Sequence, residues 1–400
     1  STLSSSSAAS DVYKRQQEES LLLEVKKETG LEPQIWAARS IAKVFDKLSL
    51  PYDRTAKTQA PSFTKNFLQV HKHPLVQCIA KAREINKAHT TFIDTIIKYQ
   101  YKGRIHADIN PIRGDSGGTV TGRFSYSNPN LQQIPARNKQ LGPMIRSLFI
   151  PEHNHKWGCF DYSQQEPRLV VHYAATKFKG DEEVVDIVNK FQNNAVDFHQ
   201  IVADMANISR KEAKIINLGL SYGMGKDKLT SQLGISVEEA ESLFNQYHER
   251  VPFIRGLRDS AARMGANRGY VKTILGRKCR FNLYEPIDKR ALPLPMEKAM
   301  DEYGGKLKRA YTYKAMNRLI QGSAADMTKK AMLELHKEGI LSHTQVHDEL
   351  NISVTDRPEC EKVMEIMRDC VELKVPNKVD GEIGKNWGDI KHYNEYFNEL

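Results

Sequence analysis

Apolar residues fall at helical spacing through the early part of the chain, from Leu21 to Leu50, around Trp36, Ile41, Val44 and Phe45. Pro51 and Pro61 bracket a loop, and a long helix is predicted from about Pro74 to Tyr101. The period then changes. Arg104 to Ile109 reads as a strand, Gly114 to Gly122 as a glycine-rich loop, and Trp157 to Phe160 as a short strand feeding into Asp161. From about Glu166 to Met264 the pattern is helical again, interrupted at Gly223 and Gly225. Gly269 to Arg280 alternates like a hairpin, and Tyr311 to Lys337 is a long helix. Thr344 to Val354 alternates around an acidic centre, followed by a helix from about Pro358 to Leu373. Strands and helices intermix without a regular βαβ rhythm and without internal repeats, so the fold class is α+β.

Length and composition refine this picture only a little. A chain of 400 residues has room for two or three domains, and 40% hydrophobic with 27% charged residues is ordinary for a soluble globular protein. No apolar run approaches the roughly 20 residues of a membrane-spanning helix. The net charge of +10 favours a polyanionic partner, although a generally basic protein has the same balance. Cys78, Cys159, Cys279, Cys360 and Cys370 form no C-x-x-C pair, which argues against a disulfide framework or zinc ribbon and fits a reducing compartment. Residues 1–16 are serine-rich, without an initiator Met or a signal-peptide core. They are expected to be a disordered tail or translated sequencing adapter, which the run AASDVYKRQ resembles.

Three ordered stretches carry the chemistry. The first, DYSQQEPR from Asp161 to Arg168, delivers a carboxylate from a buried strand. The third, QVHDE from Gln345 to Glu349, lies in an alternating apolar run and implies a tight turn that lifts acids out of a sheet. Acids there are costly unless paired or metal-bound. Two aspartates converging from separate strands suit Mg²⁺, and two such ions about 3.5–4 Å apart can activate a 3′-hydroxyl and stabilise leaving pyrophosphate. Taken singly, the third stretch also reads as a solvated turn. In the second, Ser209 and Glu212 fit a capping box that starts a helix at Arg210. Arg210, Lys214, Leu218 and Tyr222 then recur every four residues along one stripe, placed to hold a triphosphate and pack on base and template. A solvated amphipathic face is the alternative. Ser163 to Glu166 also fits a capping box, so Glu166 is either a cap or a group closing off a sugar 2′ position. The loop from Thr121 to Arg137 carries two arginines and could track a duplex backbone. Asn317 and Gln321 add groups suited to minor-groove acceptors.

Together these stretches resemble the polymerase module of family A DNA polymerases, the group of bacterial DNA polymerase I and many phage enzymes. The resemblance runs from about residue 31 to the Gly384–Trp387 segment and includes motifs A, B and C and the TGR…PNLQQIPAR segment. It implies a right-hand fold with an antiparallel-sheet palm, helical fingers and a partial helical thumb. The implied organisation is a tail at 1–16, thumb at 17–103, palm at 104–173 and 306–400, and fingers at 174–305. It implies Asp161 and Asp348 as metal ligands with Glu349 accessory, two Mg²⁺ ions for which Mn²⁺ can substitute, and Arg210, Lys214 and His199 as triphosphate contacts. Leu218 matches the position near the nucleotide sugar and base, and Tyr222 the fingers residue at the template. Arg137 matches a further active-site arginine, and Glu166 the steric gate against ribonucleotides. Arg123, Asn130, Gln132, Asn317, Gln321 and His347 match groups that track primer–template DNA. The implied activity is addition of dNMP from dNTP to a primer 3′-hydroxyl in the cytoplasm of a bacterium or phage-infected host. A single-subunit RNA polymerase and an inactive duplex-binding scaffold are the competing readings, and no processivity factor is legible.

The chain also departs from the family pattern. Motif A commonly reads DYSQIELR, whereas Gln165 and Pro167 stand here at apolar positions, which suggests a phage-like branch. Leu218 stands where Phe or Tyr is usual, and the thumb looks incomplete on its N-terminal side.

Overall fold

The computed structural model describes residues 2–3, 7–115, 117–135, 141–193, 197–221 and 226–399. Its centre is a five-stranded sheet of β1 (Lys156–Tyr162), β2 (Ser342–Val346), β3 (Glu349–Val354), β4 (Val379–Asn386) and β5 (Asp389–His392). The spatial order is β2-β3-β1-β4-β5, and every neighbouring pair is antiparallel.

Period-two alternation sends the sheet's side chains into two separate cores. Phe160 and Tyr162 on β1 and Leu350, Ile352 and Val354 on β3 face one cluster. Trp157 and Cys159 face the other, with Phe149, Val346 and Trp387. Both faces of β1 are therefore covered, and four consecutive residues from Trp157 to Phe160 are buried. The helices that matter to the site are α1 (Gln165–Lys177), α2 (Phe198–Ala206), α3 (Arg210–Ser221), α4 (Ala315–Lys337) and α5 (Arg357–Asp369). Residues of all five join the first cluster. A third cluster is formed by Val25 in the helix Ser7–Thr29, residues of Ala38–Lys47 and residues of Pro74–Lys87.

Several expectations change in detail. The predicted helix over 21–50 is two helices, because Gly30 takes a left-handed conformation (φ +70°) and its N–H closes onto Lys26 O at 2.8 Å. The first of these begins at Ser7 and so runs through the stretch expected to be a structureless tail. The helix predicted from Pro74 continues as a π-helical turn, Ala88–Ile93, and a short α-helix, Asp94–Lys98. β4 and β5 were not anticipated, nor was a three-stranded unit built from Leu283–Pro286, Leu294–Pro295 and Leu307–Arg309.

Candidate active site

The acidic part of the site follows from strand register. His347 and Asp348 form the turn between β2 and β3, with His347 in a left-handed conformation at φ +58°. The turn is tied to β1, since the Tyr162 N–H donates to Asp348 O at 3.2 Å. Asp161 lies opposite Glu349 on one side and Asp380 on the other. Directly opposed residues share a face, so three carboxylates from three strands lie side by side, with Asp348 at the adjoining turn.

That concentration of charge is expressed in the acids themselves. Burial, then the neighbouring Asp348 carboxylate, pushes Asp161 up to about 9. Glu349 is also raised by burial, opposed mainly by the guanidinium of Arg146, and its Oε1 has no hydrogen-bond partner among the described residues. Glu166 is raised by burial while the Arg123 guanidinium, its ion-pair partner, works against that shift. Hard carboxylate oxygens short of counter-charge fit a divalent cation such as Mg²⁺. Among the described residues no three His, Cys, Asp or Glu side chains form a metal cage. The carboxylates of Asp161 and Asp348 by themselves are a donor set that suits an ion retaining most of its waters.

The cationic part is built on helix ends. The Ser209 N–H donates to Glu212 at 2.7 Å, and the Glu212 N–H donates to Ser209 Oγ at 3.2 Å. This reciprocal cap starts α3 at Arg210, as the sequence predicts. Arg210 Nε bonds Asp197 Oδ2 at 2.6 Å, while Asp197 Oδ1 accepts from the Gln200 N–H and caps α2. His199 on α2 sits 3.0 Å from the Asn217 amide through Nδ1, and Asn217 in turn accepts from the Tyr247 hydroxyl. Burial lowers the His199 pKa; Asp197 opposes the shift, and Arg210 and Lys214 add to it. Lys214 and Leu218 are exposed, Leu218 by 40%. The Phe198 N–H at the start of α2 donates to Gln164 Oε1 at 2.9 Å, joining motif A to the cationic helices.

A family model described as DNA polymerase family A matches residues 9–389. The chain belongs to DNA polymerase family A. A DNA-directed DNA polymerase of Pseudomonas phage M6 is 34% identical over 88% of this chain and 57% of its own length. The thermostable DNA polymerase I of Thermus aquaticus is 33% identical over 86% of this chain and 40% of its own length. The chain thus spans little more than half of the phage relative. Among solved structures, the POL domain of Pol1 from M. smegmatis, in complex with DNA primer-template and dNTP, superposes with a TM-score of 0.74 at 25% identity. That match covers 97% of this chain and 67% of the other.

The chain has the mixed helix and antiparallel-sheet fold of a polymerase domain, and the other predicted residues lie in it as follows. Arg123 reaches Glu166 from the loop after Thr121, so these two sequence motifs meet directly. Asn130 Oδ1 caps a short 3₁₀ turn by accepting from the Gln132 N–H, and the Gln132 amide lies 3.4 Å from the Gln345 side chain. Arg123, Gln132, Gln345 and His347 line one cavity of about 230 Å³. Asn317 Oδ1 is buried without a partner among the described residues, and Gln321 is half-buried one turn further along α4. Tyr222 and Arg137 lie outside the described residues.

The capping-box alternative for Glu166 is overturned. The N-cap of α1 is Gln164, in a left-handed conformation and without a side-chain cap bond, so Ser163 is displaced from the capping position. Gln165 also finds its reason: its buried amide donates to Ala324 O at 3.3 Å and Thr328 Oγ1 at 3.4 Å on α4. Sequence reasoning missed Asp380, Asp197 and Arg146. For Asp380 a signal existed in the alternation Val379-Asp-Gly-Glu-Ile383, which reads as a strand with acids on one face. Asp197 left a local signal as the N-cap of α2, but its pairing with Arg210 did not, and Arg146 acts on Glu349 without a local pattern.

Proposed function

We propose that this chain carries a DNA-directed DNA polymerase activity, extending a primer 3′-hydroxyl with dNMP from dNTP and releasing pyrophosphate. The observation that carries the reading is the meeting of Asp161, near the end of the central strand, and Asp348, at the adjoining turn, with too little counter-charge nearby. The similar phage and Thermus DNA polymerases, and the POL domain bound to primer-template and dNTP, support the same chemistry.

Asp161 and Asp348 would hold divalent cations, with Glu349 accessory beside them. Bound Mg²⁺ would supply the positive charge that eases loss of the 3′-hydroxyl proton and neutralises the leaving pyrophosphate. The chain's own cations act from the other side. Arg210, Lys214 and His199 bind the triphosphate, Arg210 by exchanging its Asp197 partner for phosphate oxygens. A neutral His199 donates or accepts a hydrogen bond without adding charge. Leu218 packs near the incoming sugar and base. Glu166, held by Arg123, occupies the space a ribose 2′-hydroxyl would need. Arg123, Asn130, Gln132, Asn317, Gln321 and His347 track the primer–template, mostly in the minor groove. Arg137 and Tyr222 complete the nucleotide site in this reading.

The test is primer extension with matched dNTP and rNTP, by wild type and Asp161→Asn. Wild type should extend with dNTP and disfavour rNTP, while the variant should lose extension yet bind duplex nearly as well. Efficient use of rNTP, or loss of binding together with catalysis, would refute the assignment.

A further inference from the structure

Two glycines in the stretches that track the primer, Gly122 before Arg123 and Gly322 after Gln321, owe their identity to a third residue. Gly122 is left-handed at φ +85°, and a Cβ there would lie 2.7 Å from the guanidinium of Arg277. A Cβ at Gly322 would come 2.7 Å from Thr273 Cγ2 and 3.2 Å from Arg277 Nη2. Arg277 sits at the end of the turn joining Tyr270–Lys272 to Lys278–Arg280, and its fork reaches both motifs at once. Nη2 donates to Thr121 O at 2.6 Å and to Gly322 O at 3.1 Å, and Nε bonds Asp326 Oδ1 at 3.1 Å. Asp326 is buried on α4, 7% exposed, and its other oxygen accepts from the Leu275 N–H at 3.3 Å. A lysine cannot span these acceptors, because only a planar guanidinium presents separate donors in a fixed fork. Lys329, one turn beyond Asp326, closes the loop from the far side by bonding Pro111 O and lying over the Phe124 ring.

We propose that Arg277 is a positioning residue. It locks the loop bearing Arg123 and the α4 turn bearing Gln321 at a fixed spacing, so that both side chains read minor-groove acceptors of the primer duplex in register. This deepens the polymerase reading and rests on it. The Arg123 backbone is held, with its carbonyl accepting from Thr119 Oγ1 at 2.9 Å, while its side chain is engaged by Glu166. Arg277 therefore fixes where Arg123 starts, and primer binding decides where its guanidinium goes.

The experiment deletes one acceptor atom and asks whether the protein notices. Primers carrying 3-deazaguanine in place of guanine, at each of the terminal positions in turn, lack the N3 acceptor in the minor groove. Single-turnover extension is measured with wild type, Arg277→Lys and Asp326→Asn, the last serving if the Arg277 variant does not fold. Wild type should lose about tenfold at its most sensitive position, a loss typical of one well-placed hydrogen bond. In the variants, that penalty should fall below about twofold, because a misplaced reader has nothing to lose. Variants that slow on natural primer but keep the full penalty would overturn the positioning role alone. A wild type that extends normally and shows no penalty at any position would overturn the minor-groove assignment and this inference with it.

Discussion

The acidic and cationic parts of the site are built by opposite means. Asp161 sits in the middle strand of a sheet covered on both faces, beside other carboxylates, and keeps its proton up to about 9. Arg210 and Lys214 stand on an exposed helix face, and the Arg210 ion pair with Asp197 is open to solvent on both sides. Strands give the acids fixed positions at the cost of unfavourable charge. Helix ends give the cations easily exchanged partners at little cost. On the proposed reading, the acidic side is arranged for bound cations, whereas the cationic side accepts and releases a triphosphate.

Four measurements test that contrast, beginning with the largest effect. Lys214→Ala should lower kcat/KM for dNTP about a hundredfold in steady-state kinetics, with melting temperature nearly unchanged, because the side chain is exposed. A comparable loss of stability would place Lys214 in the fold rather than on the substrate. Leu218→Tyr should raise dideoxynucleotide incorporation relative to dNTP about tenfold, which competitive single-nucleotide assays would detect. Equal selectivity in both proteins would remove Leu218 from the sugar site.

The third measurement concerns pH and stability. The folded Asp161 carboxyl holds its proton up to about 9, whereas the unfolded chain releases it near the ordinary value of 3.8. Between those values the folded state binds more protons, so this group's contribution to stability falls as pH rises. Without divalent metal, Asp161→Asn should therefore melt a few degrees above wild type at pH 8, with the gap closing toward pH 4. Parallel melting curves would show that the buried charge is relieved by something else. The smallest effect is expected at the exposed ion pair. Asp197→Asn should change unfolding free energy by less than about 1 kcal/mol in denaturant titrations. A larger loss would mean that its cap on α2 outweighs its pairing with Arg210.

What was legible in the sequence was local. The α3 start was readable because Ser209 and Glu212 satisfy each other's backbone groups within four residues. The acidic turn was readable because the alternation of β2 and β3 frames it. Glu166 was open to misreading for the same reason. Its S-x-x-E pattern is a valid local solution, but a left-handed Gln164 and the distant Arg123 supply a better tertiary one. Asp380 joins the site only through pairing of β4 with β1, and Arg277 joins two motifs through its side chain. Neither relation has a spacing in the chain to reveal it.

The position of β1 has a consequence for how the protein is made. Both of its hydrogen-bonded neighbours, β3 and β4, are encoded near the far end of the chain. During synthesis from the N-terminus, the strand carrying Asp161 emerges long before either partner, with apolar residues and two open edges. The α1 helix can fold beside it early, yet Asp161 and Asp348 cannot meet until the β2–β3 hairpin has left the ribosome. A nascent chain stalled before residue 348 would thus lack one of the two aspartates of the candidate site.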